Sequence, residues 1–276
     1  MLKKRLIFTL LYDNGSFMLS RNFRLQKVGN IDWLKKNYDF SKISYSIDEL
    51  VVLDVSRGNR NFEDFCSSLK MLTDGCFVPI AAGGGVNEIE TAQMLLRSGA
   101  DKIVLNSSLY AKNGFVGNLA SEFGQQCVVG SVDVKRSANG QYQAWSENGT
   151  KCEEGSAEYW IAKNLSESVG EIYLNSIDRD GTGQGFDLEL LNLLPRQVSK
   201  PVILAGGAGN AKHLYAGLED SRVDAVATAN LFNFVGNGLK EARETLVSSG
   251  IVLPMWESQL LERELRFPRI HEGNHD

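Results

Sequence analysis

Short apolar runs alternate with amphipathic runs along most of this chain of 276 residues. The apolar runs have the length and composition of parallel strands covered on both faces, and the runs between them have the spacing of helices. Eight strands are predicted, over residues 5–11, 49–55, 77–85, 101–108, 125–135, 170–181, 201–209 and 223–232. This alternation predicts an α/β fold with a parallel sheet, and eight units favour a closed (β/α)8 TIM barrel over an open sheet.

The second half of the chain repeats the first. "DELVVLDV" (48–55) corresponds to "GEIYLNSID" (170–178), "PIAAGGG" (79–85) to "PVILAGGAG" (201–209), and "ADKIVLNSSLY" (100–110) to "VDAVATANLF" (223–232). The offsets agree, since residue 49 matches 171, residue 83 matches 206 and residue 106 matches 230. We therefore expect one barrel domain over 1–253, built from half-barrels at about 1–122 and 123–250. Residues 254–276 lie outside the repeat and are expected to be a partly helical or disordered extension.

The composition argues against several classes of protein. The formal net charge of -5 is unusual for a nucleic-acid-binding domain, and no apolar run reaches the roughly 20 residues that span a bilayer. The four cysteines have no CxxC or other metal-ligand spacing, so we expect a reduced, cytoplasmic protein without a metal or cofactor.

Two glycine-rich turns, Gly83–Gly85 and Gly206–Gly209, follow equivalent strands at the end of the barrel where active sites of this fold lie. Glycine lets the backbone approach a ligand closely, and the N–H groups at the start of a helix attract anions. The next strand of each half ends in small or polar residues. We therefore expect two phosphate-binding turns on opposite sides of one mouth, which would suit a long ligand with a phosphate at each end. The candidate residues are Gly85, Asn106 and Ser107 in the first half and Gly207, Ala229 and Asn230 in the second.

Carboxylates at the same end of the barrel are candidates for chemistry. Asp133 ends the fifth predicted strand, and its mate at an offset of 122 is Leu11, which ends the first. Two carboxylates across a mouth suit general acid–base work, so this chain has lost one of a pair. Asp133 is expected to act in catalysis or ligand binding, although bonding to a loop backbone is the simpler alternative. Asp54, Asp180 and the loop "DRDGTGQG" (178–185) are further candidates for ligand contact.

Four charged residues lie at the opposite, N-terminal ends of strands: Arg5, Glu49, Lys102 and Glu171. Buried charges persist only when they are paired, so two cations and two anions can form a ring around the barrel axis. Such a ring would close this end to ions and bulk water, and a small neutral molecule would pass if one pair opened. Structural pairing without a gate is the alternative.

These motifs together resemble the cyclase subunit of imidazole glycerol phosphate synthase over nearly all of residues 1–250. The matching stretches are "DELVVLD", "GGGV…ETA", "GADKIVLN", "VVGSVDVKR", "SIDRDGTGQG" and "AGGAG". Of these, "GADK" and "SIDRDGT" are specific in their order and spacing. The resemblance implies a heterodimer with a glutaminase, docked on the strand N-terminal face. Ammonia from that partner would pass through the barrel to a substrate with two phosphates, and a lyase-type cyclisation would give an imidazole in histidine synthesis.

The resemblance also implies roles for individual residues. It places Arg5, Glu49, Lys102 and Glu171 in the ammonia gate, Asp101 in partner docking and Asp133 in catalysis. The residues that it places on the family's phosphate positions are Gly85, Asn106, Ser107, Gly181, Gly207, Ala229 and Asn230. Thr182, in the same loop as Asp180, is a further candidate for substrate contact.

Two departures separate this chain from the family's pattern. Leu11 stands where the family has a second catalytic aspartate, and Leu19 stands where it has a first-loop lysine near the substrate. Leucine can neither transfer a proton nor pair with a phosphate. In this respect the chain resembles a paralogous branch linked to bacterial surface polysaccharides, in which barrel and glutaminase supply ammonia to a separate sugar-amidating enzyme. The alternatives are a working cyclase of histidine synthesis and a non-catalytic scaffold that binds a phosphorylated ligand.

Overall fold

The computed structural model describes residues 3–37, 43–111, 114–166, 168–229 and 238–254. The strands are β1 (Arg5–Asp13), β2 (Ser16–Arg21), β3 (Arg24–Gly29), β4 (Glu49–Asp54), β5 (Ile80–Gly83), β6 (Lys102–Leu105), β7 (Val128–Arg136), β8 (Tyr142–Ser146), β9 (Lys151–Ser156), β10 (Glu171–Ser176), β11 (Val202–Ala205) and β12 (Ala225–Thr228). The helices are α1 (Ile31–Asn37), α2 (Phe62–Thr73), α3 (Ile89–Arg97), α4 (Ser107–Tyr110), α5 (Phe115–Phe123), α6 (Ala157–Ser166), α7 (Ala211–Glu219) and α8 (Gly238–Ser248). Short 3-10 turns occur at Gln125–Cys127 and Leu188–Leu193.

Eight of the strands form a closed parallel barrel, in the order β1, β4, β5, β6, β7, β10, β11, β12 and back to β1. Helices lie between successive barrel strands, with the 3-10 turn Leu188–Leu193 in that place between β10 and β11, so the predicted (β/α)8 TIM barrel is confirmed. The amphipathic run that follows β4 forms α2, which begins at Phe62 and ends at Thr73. Several predicted strands were too long, because their last residues form the loops of the mouth.

The strand ladders place the two half-barrels in register. Leu11 pairs with Leu53 between β1 and β4, and Asp133 pairs with Asn175 between β7 and β10. Leu53 and Asn175 are 122 residues apart, and so are Leu11 and Asp133. Leu11 and Asp133 therefore occupy equivalent places in the barrel wall. The predicted correspondence of these two residues is therefore confirmed.

Two β-hairpins project from the barrel at equivalent places and were missed in the sequence. β1 continues beyond Leu11 and pairs with β2, which pairs with β3. In the same way β7 pairs with β8, which pairs with β9. The predicted end of the first strand at Leu11 was wrong, because residues 12 and 13 continue the ladder with β2.

Alternate residues of each strand point toward the barrel axis or toward the helices, so the apolar core has two parts. The larger part lies between the barrel and the helices. A smaller cluster fills the barrel interior and consists of Ile7, Val51, Ala81, Val104, Val129, Tyr173, Ile203, Ala205, Ala225 and Ala227. Its members are mostly β-branched or small, and above and below them lie the two polar regions described next.

None of the helices in the described part of the chain is both long and apolar enough to cross a membrane. The predicted extension beyond residue 254, with its expected helix, and the candidate Asn230 lie outside the described residues.

Candidate functional site

The mouth at the C-terminal ends of the barrel strands holds a cavity of about 820 Å³. Its wall includes these predicted site residues: Asp54, Gly85, Asn106, Ser107, Asp133, Asp180, Gly181, Gly207 and Ala229. Leu11 and Leu19 also line it, so the two departures from the family pattern contribute apolar surface to the site. The volume is in the range of small-molecule sites.

Asp133 is buried near the floor of this cavity. The side-chain amide of Asn175 donates to its Oδ1 at 3.0 Å, and the amide of Asn106 donates to its Oδ2 at 3.2 Å. Burial raises the pKa of Asp133 to about 7; the charge of Asp180 acts in the same direction, and the hydrogen bond from Asn175 opposes it. A carboxyl group that titrates near neutrality is suited to general acid–base work.

Asn106 and Ser107 were predicted to bind phosphate, and the structure gives them contacts of another kind. The Asn106 amide donates to the backbone oxygens of Ser131 and Trp145 as well as to Asp133. The hydroxyl of Ser107 accepts from the backbone N–H of Glu147, in the turn between β8 and β9. Both residues line the cavity, but these bonds hold Asp133 and the second hairpin in place.

The loop after β10 anchors the first hairpin. The Asp180 carboxylate accepts from the backbone N–H of Phe23 at 3.0 Å and from the Ser20 hydroxyl. Burial raises the pKa of Asp180, against these two hydrogen bonds. Asp180 therefore holds the hairpin, and its carboxylate already has protein partners.

Thr182 does not line the cavity. Its hydroxyl donates to the backbone oxygen of Arg179 and accepts from the N–H of Gln184, which closes a turn within the loop. Its contact with substrate stays a prediction, and in this structure the threonine hydroxyl bonds within its own loop.

Gly181 provides a stability test of the hairpin anchor. Its φ is +65°, and a Cβ atom here would lie 1.8 Å from the backbone oxygen of Ser20. Gly183 is a matched control, with a φ of +67° and a nearest neighbour at 4.0 Å. Gly183→Ala is expected to cost about 1–2 kcal/mol, from backbone strain alone. Gly181→Ala is expected to cost at least about 3 kcal/mol, because the strand must also move. Urea unfolding measures both, and equal losses would mean that the hairpin is not held here.

The glycine turns are required by the fold itself. Gly84 has a φ of +111°, and a Cβ atom there would lie 2.1 Å from the backbone oxygen of Asp54. Gly207 has a φ of +107°, and a Cβ atom there would lie 2.2 Å from the backbone oxygen of Gly185. Close approach of the chain to itself therefore accounts for glycine at both turns, independently of any phosphate.

Four arginines of the first half-barrel line the cavity and were not singled out in the sequence: Arg21, Arg24, Arg57 and Arg60. Arg57 donates to the backbone oxygens of Phe23 and Asn148, at the tips of the two hairpins. Arg60 places its Nε 3.6 Å from Oδ2 of the buried Asp54. Arg57 and Arg60 lie close together in the loop directly after β4, and this was the sequence signal that could have identified them as site residues.

At the opposite end of the barrel, the four predicted charges form a closed ring. Arg5 contacts Glu49 at 2.7 Å and Glu171 at 3.1 Å, and Lys102 lies 3.0 Å from each of the same two carboxylates. Each cation therefore bridges both anions. The predicted mutual pairing is present, with the side chain of Glu49 only 2% exposed.

The two carboxylates of this ring differ in their electrostatics. Burial raises the pKa of Glu49, and the charges of Lys102 and Arg5 offset only part of this effect. Burial also opposes ionisation of Glu171, but the charges of Arg5 and Lys102 prevail there and lower its pKa. Glu171 is the more exposed of the two, so it is desolvated less.

Asp101 lies on the same end of the barrel and is exposed. Its carboxylate accepts from the backbone N–H of Ile80 at 2.8 Å. Asp224 makes the equivalent bond to Val202, which matches its place in the second half. Asp101 therefore caps the start of β5 and remains accessible on the face predicted for partner docking.

Comparison with known proteins agrees with this architecture. A family model described as "Histidine biosynthesis protein" matches residues 34–236. An imidazole glycerol phosphate synthase subunit provisionally named hisF2, from Parasynechococcus marenigrum (strain WH8102), is 46% identical over 252 residues, which cover 88% of this chain and 90% of that protein. Imidazole glycerol phosphate synthase subunit HisF from Chlorobaculum tepidum is 34% identical over 254 residues, 92% of this chain and 99% of that protein. HisF from Streptococcus sanguinis is 32% identical over 253 residues, 91% and 98% of the two chains.

The family model covers most of the barrel, and the relatives match nearly end to end. The chain belongs to the histidine biosynthesis family, as a member of its HisF group of imidazole glycerol phosphate synthase cyclase subunits.

Proposed function

We propose that this barrel receives ammonia from a glutaminase partner and channels it to the barrel mouth, where a separate enzyme uses it for amidation of a surface-polysaccharide sugar. The observation that carries the proposal is the place of Leu11. It stands in the barrel wall where the second half has Asp133, so one carboxylate of the symmetric pair is missing. A general acid or base contributes about 10²–10⁴ in rate, so a ring closure that needs both would be severely impaired.

The proposal requires ammonia to pass between the side chains that fill the barrel interior. Above the charged ring lie small or β-branched side chains, and the Thr9 hydroxyl contacts the Tyr173 hydroxyl at 3.1 Å. Thr9 and Tyr173 also line the lower part of the mouth cavity. Ammonia that passed the ring would therefore meet hydroxyl groups and then the floor beside Asp133.

The end of the barrel that carries the ring has features of a docking face. Phe77, which precedes β5, is 44% exposed, and Val252, whose backbone oxygen bonds to Lys4, is 57% exposed. Asp101 lies on the same face. Apolar groups among exposed charges suit a protein partner, which the resemblance identifies as a glutaminase.

A second candidate is a working cyclase and lyase of histidine synthesis. It is favoured by the relatives at 34% and 32% identity, which are named imidazole glycerol phosphate synthase subunit HisF. In that case another group would have to take the role that Leu11 cannot perform.

Complementation separates these candidates. We expect this chain, expressed with its glutaminase partner, to leave a histidine auxotroph that lacks the cyclase unable to grow. A cyclase with both aspartates is the positive control. Growth with this chain would contradict the proposal and favour histidine synthesis.

Coupling to the glutaminase tests the proposal against a scaffold role. We expect the barrel to stimulate glutamine hydrolysis by its partner at least tenfold when a phosphorylated ligand occupies the mouth. We also expect Glu171→Gln to change the fraction of the ammonia that escapes to solvent instead of reaching the mouth. Ammonia escaping to solvent is measured with a coupled dehydrogenase. No stimulation, with Glu171→Gln silent, would indicate a scaffold.

A further inference from the structure

The mouth cavity has an apolar side, which the first half-barrel provides. The large apolar side chains that line it there and are only half-buried are Leu11, Leu19, Phe23, Leu25, Leu53 and Val55. The described lining residues from 123 onward include no leucine, isoleucine, valine, methionine or phenylalanine. Because accessible apolar side chains inside a concave site are the usual contacts of small molecules, this side of the mouth has the character of a binding surface.

The strand ladders place an apolar pair and a hydrogen-bonded pair at equivalent positions in the barrel. Leu11 is the direct neighbour of Leu53 between β1 and β4, and Asp133 is the direct neighbour of Asn175 between β7 and β10. The side chains of the second pair share a hydrogen bond of 3.0 Å, and those of the first pair have no polar atom. A ligand between the two pairs would therefore meet apolar contact on one side and polar contact on the other.

The side chain of Leu11 is not used in the protein's own packing. Leu19 packs against the core between barrel and helices, and Leu53 packs against the cluster in the barrel interior. In the described part of the chain, Leu11 and Leu25 pack against neither cluster, and both line the cavity. Apolar surface left in water is unfavourable, so a ligand that covers these two leucines gains binding free energy from them.

The tips of the two hairpins meet across this cavity. Arg57 donates to the backbone oxygens of Phe23 and Asn148, at 2.7 and 3.4 Å. A Cβ atom on Gly149 would come 2.6 Å from the ring of Phe23. Phe23 and Asn148 both line the cavity, while Leu11 lies in the barrel wall below them. A small molecule inside the mouth can therefore cover Leu11, whereas the hairpin tips keep the surface of a partner protein away from it.

We infer that Leu11, Leu25 and Leu53 form an apolar subsite, and that the ligand of the mouth is a phosphorylated small molecule that places an uncharged apolar group there. Leu11 is then a residue that determines specificity, so the loss of the carboxylate at this position also adds a contact. The inference deepens the proposed function by naming the class of ligand. It rests on that proposal only in taking the mouth as the site of a phosphorylated molecule.

The barrel order places this subsite within reach of both glycine turns. The turns follow β5 and β11, and each of these strands is two places away from β1 in the barrel. Since neighbouring strands lie about 4.8 Å apart, either turn is roughly 10 Å from Leu11 along the wall. A phosphate on either turn would therefore be a few carbon–carbon bonds away from the subsite.

A homologous series of alkyl phosphates tests the inference, with ethyl, butyl and hexyl phosphate titrated calorimetrically into the barrel alone at fixed pH and salt. We expect butyl phosphate to bind about tenfold more tightly than ethyl phosphate, since each buried methylene strengthens binding about threefold to fourfold. Leu11→Ser is expected to reduce this ratio to below about threefold and to leave the affinity for ethyl phosphate unchanged. Leu188→Ser is the matched control, because Leu188 is 43% exposed and does not line the cavity, and it should keep the full ratio.

Leu25→Ser provides a second variant, which keeps the test decisive if Leu11→Ser fails to fold, because Leu25 lies on the hairpin outside the barrel wall. It should also lower the ratio of the two affinities. Equal affinities across the series in the wild type, a full ratio in both variants, or no binding of any member would each overturn the inference. Since no glutaminase is present, failure of ammonia delivery would leave this result unaffected, and the two proposals can fail separately.

Discussion

Glu171→Gln is expected to lower the free energy of unfolding by about 3 kcal/mol, the lower end of the range seen when one member of a buried ionic group is removed. The side chain of Glu171 contacts both Arg5 and Lys102, whose charges lower its pKa, so the ionised form stabilises the folded chain. Glutamine has the same shape but leaves two cations to share Glu49. Urea unfolding at pH 7 measures the loss.

A charge-balanced variant is the control for this prediction. In Glu171→Gln combined with Lys102→Met, one cation and one anion remain, and Arg5 still contacts Glu49 at 2.7 Å. We expect the double variant to recover at least half of the lost stability. If both variants are equally unstable, the loss comes from packing around residue 171, and the ring is not an electrostatic unit.

The barrel and the ring were predictable because both follow from periodicity. The offset of about 122 residues fixes which strands are equivalent, and alternation within a strand then places Arg5 and Glu49 on the interior. Since parallel strands begin at the same end, charges at four strand starts must lie near one another. The equivalence of Leu11 and Asp133 follows from the same offset.

The hairpins and the arginines were harder to predict, for physical reasons. Along one edge, β1 pairs in parallel with β12 over its first residues and antiparallel with β2 over its last ones. β7 pairs with β6 and then β8 in the same way. Each strand therefore reads as a single apolar run. The turn signals were present, with Asn22 and Asn148 both at positive φ at the hairpin tips. The direction of Arg57 and Arg60 depends on backbone angles of a loop, which residue types alone do not determine.

The sequence also could not predict which polar side chains form hydrogen bonds to other protein groups instead of to a ligand. Asn106 and Asp180 have the residue types of ligand-binding groups and do line the cavity. Their hydrogen bonds instead hold Asp133 and Phe23. Which partner such a group finds is decided by the approach of the hairpins, which are distant in sequence from the strand ends.

Asp133→Asn is expected to stabilise the protein above neutral pH, because burial raises the pKa of Asp133 to about 7. The folded chain therefore keeps a proton that the unfolded chain releases near pH 4, and the wild type loses stability as the pH rises from about 4 to 7.

The asparagine variant lacks this penalty, so the difference in unfolding free energy should be near zero or negative at pH 4 and favour the variant at pH 8. Three pKa units correspond to a ceiling of about 4 kcal/mol. The amides of Asn106 and Asn175 both donate to Asp133, and one of them would face an N–H₂ group in the variant. A net gain of about 1–3 kcal/mol is therefore expected. Urea unfolding of both proteins from pH 4 to pH 8 measures it, and a difference that does not vary with pH would mean that Asp133 is ionised throughout and cannot serve as an acid near neutrality.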